Sequence, residues 1–168
     1  MTLTTHAIIG ATAAQLFPTR PVLAFSAGFA SHLVIDSLPH WDYALFSLKR
    51  DIKNPLNNDM AIGKNFVLDL MRISLDAFLG LLLSFFIFYY FLHTLPATLV
   101  LAGVIGGLLP DFLQFVYFKT RSNVLAPLQK FHIWIQEERE LRVHPFIGIS
   151  LQLALVIVVI SFSFYLSA

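Results

Sequence analysis

The chain has 168 residues, of which 57% are hydrophobic and only 12% are charged, and its mean hydropathy is +0.75. A soluble domain carries roughly 25% charged residues, so this composition predicts an integral membrane protein. The net charge is +1 and the basic residues are scattered, which argues against a nucleic-acid partner. The absence of cysteine excludes disulfides, iron–sulfur clusters and thiolate zinc sites, so any metal must be held by His, Asp or Glu.

Five apolar segments follow one another along the chain. They run from about Thr5 to Phe17, Pro21 to Leu38, Asn65 to Leu92, Pro96 to Phe118 and Pro145 to the end. No alternating strand pattern recurs, so we predict an all-α fold, a single polytopic helical membrane bundle over residues 1–168 with about four or five membrane segments. The first two segments are short, and the first is a candidate re-entrant helix. A polar stretch, Ser122 to Leu141, predicts an additional amphipathic helix.

Basic residues indicate the orientation, because cytoplasmic loops of membrane proteins are enriched in Lys and Arg. The connections between segments two and three and between segments four and five carry most of them, whereas the turn at 93–95 carries none. Arg20, in the opposite corner, is a weak exception. We therefore predict that both long loops, the amphipathic helix and the N-terminus lie in the cytoplasm, and that the C-terminus lies outside. Small residues at four-residue spacing, such as Gly103 and Gly107, predict close helix packing.

The second segment carries ionisable side chains, which are costly in a membrane and by default indicate function. His32 and Asp36 are four residues apart and therefore share one face of a helix. Pro39 then ends that helix, and His40 and Asp42 emerge at its end. Imidazole and carboxylate ligands in this spacing favour zinc, with manganese as the alternative. A lone pair at this spacing is often only a hydrogen bond, so a metal site needs ligands from other segments.

Other segments bring ionisable groups to the same predicted face. His6 opens the first segment, and Asp111 stands at the end of the fourth. Asp76 lies in the first half of the third segment, and His132 lies in the amphipathic stretch. We therefore predict a divalent metal site at the cytoplasmic interface, with the ligands His6, His32, Asp36, His40, Asp76, Asp111 and His132.

Structural interpretations of these residues stay open. Asp76 could pair with Arg72, four residues before it. Asp111 follows Pro110 and could bond backbone groups that the proline frees. His6 could cap the first helix.

Three short motifs carry the candidate ligands: Thr5-His6 with Gly10, Gly-Leu-Leu-Pro-Asp at 107–111, and Ser31-His32 followed by Asp36. In these motifs the chain resembles the membrane-bound metal-dependent hydrolases, an integral-membrane family of bacteria and archaea. The resemblance implies a metal-dependent hydrolase in a prokaryotic inner membrane. The chain departs from the family at Leu113, where a second Asp is usual, so one expected ligand is missing or is replaced by Asp42 or Asp76.

A second likeness lies in His32-x3-Asp36-x2-Pro39-His40, which is similar to the His-x3-Asp followed by Pro and His of the zinc-dependent phospholipase C fold. The spacing from Asp36 to His40 is shorter here than in that fold. Carried over by position, the likeness makes His32, Asp36 and His40 zinc ligands.

A metal at this position indicates hydrolysis, because a bound zinc ion acidifies its water and polarises a phosphoryl or carbonyl oxygen. Asp42 lies just outside the helix, where water reaches it, and is our candidate general base or accessory ligand. Because the predicted site is level with lipid head groups, we expect the substrate to be an ester or phosphoester of a membrane lipid or membrane-associated molecule. The oligomeric state does not follow from the sequence.

Two non-enzymatic alternatives remain. The same ligands could form a structural metal site or part of an ion-handling path, although a path needs polar groups at several depths and residues 77–110 carry no charge. A scaffold that binds a partner through residues 122–141 would leave the converging His and Asp residues unexplained.

Overall fold

The structure, a computed structural model, describes residues 1–136 and 141–167. Within these ranges the chain forms six α-helices: α1 (Leu3–Ala14), α2 (Pro21–Asp36), α3 (Lys64–Ser84), α4 (Ala97–Thr120), α5 (Ala126–Ile135) and α6 (Pro145–Ser167). A π-helical segment, Phe85–Phe91, continues α3, and 3-10 turns cover Pro55–Asn57 and Leu141–Val143. The described β-structure is one antiparallel pair of two-residue strands, β1 (Leu48–Lys49) and β2 (Asp59–Met60). The predicted all-α class is confirmed, with 72% of the chain helical.

Three helices in the described chain are long and apolar enough to cross a membrane: Lys64–Phe91, Ala97–Thr120 and Pro145–Tyr165. The helices α1 and α2 have only 12 and 16 residues. At a rise of 1.5 Å per residue they extend over about 18 and 24 Å, which is less than the roughly 30 Å of the hydrocarbon core. The predicted four or five membrane segments are therefore three full-length helices and a hairpin of two shorter apolar helices.

The short helix α1 lies at the centre of the bundle and packs against α2, α3, α4 and α6. Most of its residues are buried, as expected for a helix enclosed by others. Its contact with α4 requires glycine: a Cβ atom on Gly103 would lie 2.5 Å from the carbonyl oxygen of Gly10, and one on Gly107 would collide with the carbonyl oxygen of His6. The predicted close packing at small residues is confirmed.

The helix α4 continues through Pro110 to Thr120, so Asp111 lies inside the helix and not at its end as predicted. Proline is tolerated in membrane helices because neighbouring groups satisfy the backbone atoms that it leaves without partners. In this turn the carbonyl oxygen of Gly107 lies 2.7 Å from Nδ1 of His32. Pro110 removes the donor for the carbonyl of Gly106, four residues before it, so His32 bonds the next carbonyl of the same turn.

The amphipathic stretch forms a helix over Ala126–Ile135, shorter than the predicted 122–141, and residues 137–140 of that stretch lie outside the described residues. The helix α5 is amphipathic as predicted. It buries Gln129 and His132 and exposes Phe131 and Trp134. Its buried face therefore brings His132 to the bundle.

The connection between α2 and α3, residues 37–63, is fixed to the adjoining ends of α3 and α4. Asp69 Oδ2 accepts hydrogen bonds of 2.7 Å from both the amide and the hydroxyl of Ser47. On the exposed side, Lys119 Nζ donates to Asp59 Oδ1 at 2.7 Å. This hydrogen bond lowers the pKa of Asp59. The connection consequently packs against α3 and α4, the two helices that carry the predicted ligands Asp76 and Asp111.

Candidate metal centre

Four ionisable side chains from three helices meet inside the bundle: His32 and Asp36 from α2, Asp111 from α4 and His132 from α5. One potential ligand atom of each lies within 4.8 Å of those of the other three. The side chains of His32, Asp36 and His132 are at most 2% exposed, whereas that of Asp111 is 31% exposed. We call these four residues the His/Asp cluster. Three of its members are closed to solvent, and Asp111 forms its accessible side.

The distances within the His/Asp cluster suit a metal ion. The two Nε2 atoms of His32 and His132 are 3.3 Å apart, and they lie 3.2 and 3.1 Å from Asp36 Oδ2. Asp111 Oδ1 is 3.7 Å from His32 Nε2 and 3.9 Å from His132 Nε2. A tetrahedral zinc ion with bonds of about 2.0–2.2 Å needs ligand atoms roughly 3.3–3.6 Å apart. The cluster could therefore hold such an ion after small adjustments at Asp111.

The protonation of His32 follows from its other ring nitrogen. Nδ1 lies 2.7 Å from the carbonyl oxygen of Gly107, which only accepts hydrogen bonds, so Nδ1 carries a proton. In neutral His32 the Nε2 lone pair then points toward Asp36 Oδ2, 3.2 Å away, and two acceptors face each other. A second proton on His32, a proton shared from His132 Nε2 or a metal ion resolves this repulsion. A backbone carbonyl on the second nitrogen is the usual arrangement for histidines that bind metals.

His6 lies beside the His/Asp cluster. Its ring stacks on that of His32 with centroids 3.8 Å apart, and its Nε2 is 3.1 Å from Asp36 Oδ1. The residue is completely buried, yet neither ring nitrogen makes a hydrogen bond of acceptable geometry. A buried polar group without a partner is costly, so an ion near His6 would satisfy a nitrogen that the fold leaves unbonded. The amino group of Met1 lies 3.4 Å from the same carboxylate oxygen.

His40 and Asp42 lie at the edge of the site. His40 is buried, and its Nδ1 donates to the carbonyl oxygen of Leu38 at 2.7 Å, which leaves Nε2 of the neutral ring as an acceptor. Asp42 Oδ1 accepts a hydrogen bond of 2.8 Å from the amide of Tyr43. Neither residue belongs to the four-residue cluster, but both line the same cavity as Asp111.

Asp76 occupies a different position from the one predicted. Its Oδ2 accepts from the amide of Leu3 at 2.7 Å, and its Oδ1 accepts from the amide and hydroxyl of Thr4 at 3.1 and 2.6 Å. The hydroxyl of Tyr43 also lies 3.2 Å from Oδ2. The first amides of a helix lack partners within the helix, and a carboxylate near them also interacts favourably with the positive end of the helix dipole. Asp76 therefore caps α1, and it is not part of the His/Asp cluster; Arg72, its predicted partner, lies over the ring of Phe46.

Comparisons of the chain with models of protein families, with curated proteins and with solved structures gave no match. The predicted membership of the membrane-bound metal-dependent hydrolases therefore stays a prediction.

Two contributors to the site were not predicted from the sequence. The carbonyl of Gly107 orients His32, and Tyr43 joins the connection after α2 to Asp76. The only sequence signal for the first is the pair Gly106-Gly107 shortly before Pro110, which permits close approach of α2 to a loosened turn. No signal indicates the second.

Proposed function

We propose that this protein is a membrane-embedded metal-dependent hydrolase whose ion is held by the His/Asp cluster. The observation that carries the proposal is the set of separations, 3.1–3.9 Å, that join the two imidazole Nε2 atoms to each other and to the carboxylate oxygens of Asp36 and Asp111. Imidazole and carboxylate ligands in a four-fold set suit zinc, and manganese is the alternative. His6 lies close enough to Asp36 Oδ1 to take part in binding, and His40 lies on the accessible side.

The level of the site supports a substrate that belongs to the membrane. No Lys, Arg, Asp or Glu occurs between Asp76 and Asp111, which lie on two consecutive membrane helices. The charge-free stretch suits the hydrocarbon core, so the cluster lies near its boundary, level with lipid head groups. The Lys- and Arg-rich connections at this end favour the cytoplasmic side of a prokaryotic inner membrane. We infer that the scissile bond is an ester or phosphoester of a lipid or membrane-associated molecule.

Zinc bound in the cluster would lower the pKa of a coordinated water toward neutrality and polarise the substrate's carbonyl or phosphoryl oxygen. Asp42 is the residue that we assign as general base, because its half-buried carboxylate lines the cavity together with Asp111. The hydrogen bond from the amide of Tyr43 orients that carboxylate. Asp42 would accept the proton of the attacking water, a role that contributes about 10²–10⁴-fold in enzymes.

A structural metal site is the second candidate function, and the burial of three ligands favours it. Structural zinc sites are closed, whereas catalytic sites keep one position open. The 31% exposure of Asp111 toward the cavity favours catalysis. An ion path is less well supported, because the helices below the cluster carry no charged residue between 77 and 110.

The test is hydrolysis by zinc-loaded protein in detergent, assayed with phosphatidylglycerol, phosphatidic acid and p-nitrophenyl esters. We expect Asp42→Asn to lower kcat by about 100-fold or more at unchanged zinc content. Asp59→Asn is the matched control, because Asp59 lies in the same connection but is bonded to Lys119 on the exposed side. Zinc-loaded wild type that hydrolyses none of these substrates above the rate of Asp42→Asn would contradict the proposal and favour a structural ion.

A further inference from the structure

A cavity of about 830 Å³ lies beside the His/Asp cluster. Its volume falls within the range of about 300–1,000 Å³ that is typical of small-molecule sites. The walls come from α3, α4 and the connection 37–63, with a few residues of α1 and α5, and they include the ionisable groups of His40, Asp42 and Asp111 as well as Arg50 and Asp51. Most of the remaining wall is apolar and includes Met60, Leu70, Ile73, Leu108, Phe112 and Phe115.

The His/Asp cluster meets this cavity through Asp111. Its other members, His32, Asp36 and His132, are at most 2% exposed and do not line the cavity. A molecule in the cavity would therefore reach the cluster with the group that lies against Asp111, and the rest of that molecule would lie along apolar side chains. The shape of the site suits an amphiphile, with one polar group and an apolar chain.

Two of the residues that line the cavity are also exposed on the outside of the bundle. Leu70 on α3 and Phe112 on α4 line the cavity, yet they are 48% and 59% exposed. Both residues belong to helices that are long and apolar enough to cross a membrane. An apolar chain can therefore pass from the bilayer into the cavity between α3 and α4 without crossing water, a route that a water-soluble substrate does not need.

We propose that the cavity binds one acyl chain of a phospholipid, which enters between α3 and α4 and brings its ester or phosphoester group to Asp111. The chemistry at Asp111 rests on the proposed function. The binding of an acyl chain does not, because it is inferred from the residues that line the cavity. A soluble phosphoester and an apolar peptide are the competing occupants.

The experiment uses phosphatidylglycerol with a photoreactive diazirine near the end of one acyl chain, in vesicles that contain the full-length protein. After irradiation, the labelled residues are mapped by peptide mass spectrometry. We expect adducts on cavity residues such as Ile73 and Phe115, and competition by unlabelled phosphatidylglycerol but not by inorganic phosphate. Adducts confined to outward residues such as Leu75, which is 70% exposed and does not line the cavity, would overturn the inference.

Two α3 variants sharpen the test. Ala77 lines the cavity, so Ala77→Phe narrows it, whereas Leu75→Phe changes the lipid-facing surface of the same helix. We expect Ala77→Phe to lower cavity labelling by about fivefold or more. This is the loss of binding expected when one or two methylene groups of the acyl chain no longer fit in the cavity. Labelling in Leu75→Phe should equal that of the wild type. Ser74→Phe, at another lining position, replaces Ala77→Phe if that variant does not fold.

The zinc content of the same samples separates this inference from the proposed function. Cavity labelling without bound zinc would leave the lipid site standing and overturn the metal-dependent hydrolase. Bound zinc and hydrolysis without cavity labelling would support the hydrolase and overturn the lipid site. Phosphatidylglycerol hydrolysis and cavity labelling that are both equal in Ala77→Phe and the wild type would overturn the chain-binding site.

Discussion

Two carboxylates in membrane helices of this protein have opposite surroundings. Asp36, where α2 meets α4 and α5, faces ring nitrogens of His6, His32 and His132 at 3.1–3.2 Å. Asp76, where α3 meets the start of α1, accepts hydrogen bonds from two backbone amides and a threonine hydroxyl. Both regions stabilise a carboxylate, and the half-buried Asp76 is stabilised by hydrogen-bond donors of α1.

The Asp36 region has a different set of donors: His132 Nε2 lies 3.1 Å from Asp36 Oδ2, and the amino group of Met1 lies 3.4 Å from Oδ1. His32 uses its Nδ1 proton on the carbonyl of Gly107, and the ring nitrogens of His6 make no hydrogen bond of acceptable geometry. The proposed metal ion would complete this region, whereas the Asp76 region needs none. The difference separates a proposed ligand from a helix cap, although both residues are aspartates in apolar helices.

The largest expected effect is on zinc affinity, when the charge of Asp36 is removed and the result is compared with removal of the charge of Asp76. Asp36→Asn should weaken zinc binding by at least about 100-fold, because it removes a ligand and not merely a supporting residue. Asp76→Asn should leave zinc affinity within about threefold, since Asp76 donates nothing to the cluster. Competition titration with a zinc chelator measures both. Equal losses in the two variants would contradict the distinction between them.

The next prediction tests whether the stability of the fold and zinc binding depend on the contact of α1 with α4. Gly103→Val places a side chain against the carbonyl of Gly10, and overpacking of this kind costs about 1–3 kcal/mol. The unfolding free energy, measured by titration with a denaturing detergent, should fall accordingly, and zinc binding should weaken with it. Gly63→Ala is the control, because a Cβ atom there meets nothing within 4 Å. A Gly103→Val protein as stable as this control would show that the close contact is not needed.

A smaller effect is expected for the cap itself. Asp76→Ala removes the acceptor of the Leu3 and Thr4 amides, and the loss of a helix N-cap costs about 0.5–2 kcal/mol. Hydrogen exchange of these two amides should accelerate in Asp76→Ala and stay slow in Asp36→Asn. Unchanged exchange in Asp76→Ala would mean that other acceptors satisfy the start of α1.

The smallest effect concerns the exposed carboxylate of Asp59. The hydrogen bond from Lys119 lowers the pKa of Asp59 in the folded state. The contribution of this bond to the free energy of unfolding is therefore fully present above the unfolded pKa of about 3.9, and it is lost as the pH falls through the folded pKa. The pair is partly exposed, so this contribution should be under about 1 kcal/mol. Denaturation between pH 6 and pH 2 measures it as the difference between wild type and Asp59→Asn. A larger difference would indicate that the connection 37–63 depends on this pair more than an exposed pair allows.

The fold class and part of the cluster were predictable from local patterns. The four-residue spacing of His32 and Asp36 fixes their shared helix face, and the long charge-free stretch after Asp76 indicates two membrane helices. The convergence of Asp111 and His132 on α2 was predicted only from their common side of the membrane. Their mutual distances depend on how α4 and α5 pack, which no local pattern determines.

The role of Asp76 was not predictable for the same reason. Asp76 meets the amides of α1 because α1 packs beside α3, more than 70 positions away in sequence. The sequence predicted a metal ligand at Asp76, or a local pair with Arg72. The fourth segment was predicted to run through Pro110, as α4 does, but Asp111 was placed at its end and lies inside it. A contact between distant segments decided the role of Asp76.

The most direct test of the central claim is elemental analysis of detergent-purified wild type, after removal of bound metals with a chelator and reconstitution with zinc or manganese. His32→Ala, measured in parallel, lacks one imidazole of the His/Asp cluster. The account predicts about one zinc or manganese ion per wild-type chain and a much lower content in His32→Ala. A wild-type protein that retains no metal after reconstitution would contradict it.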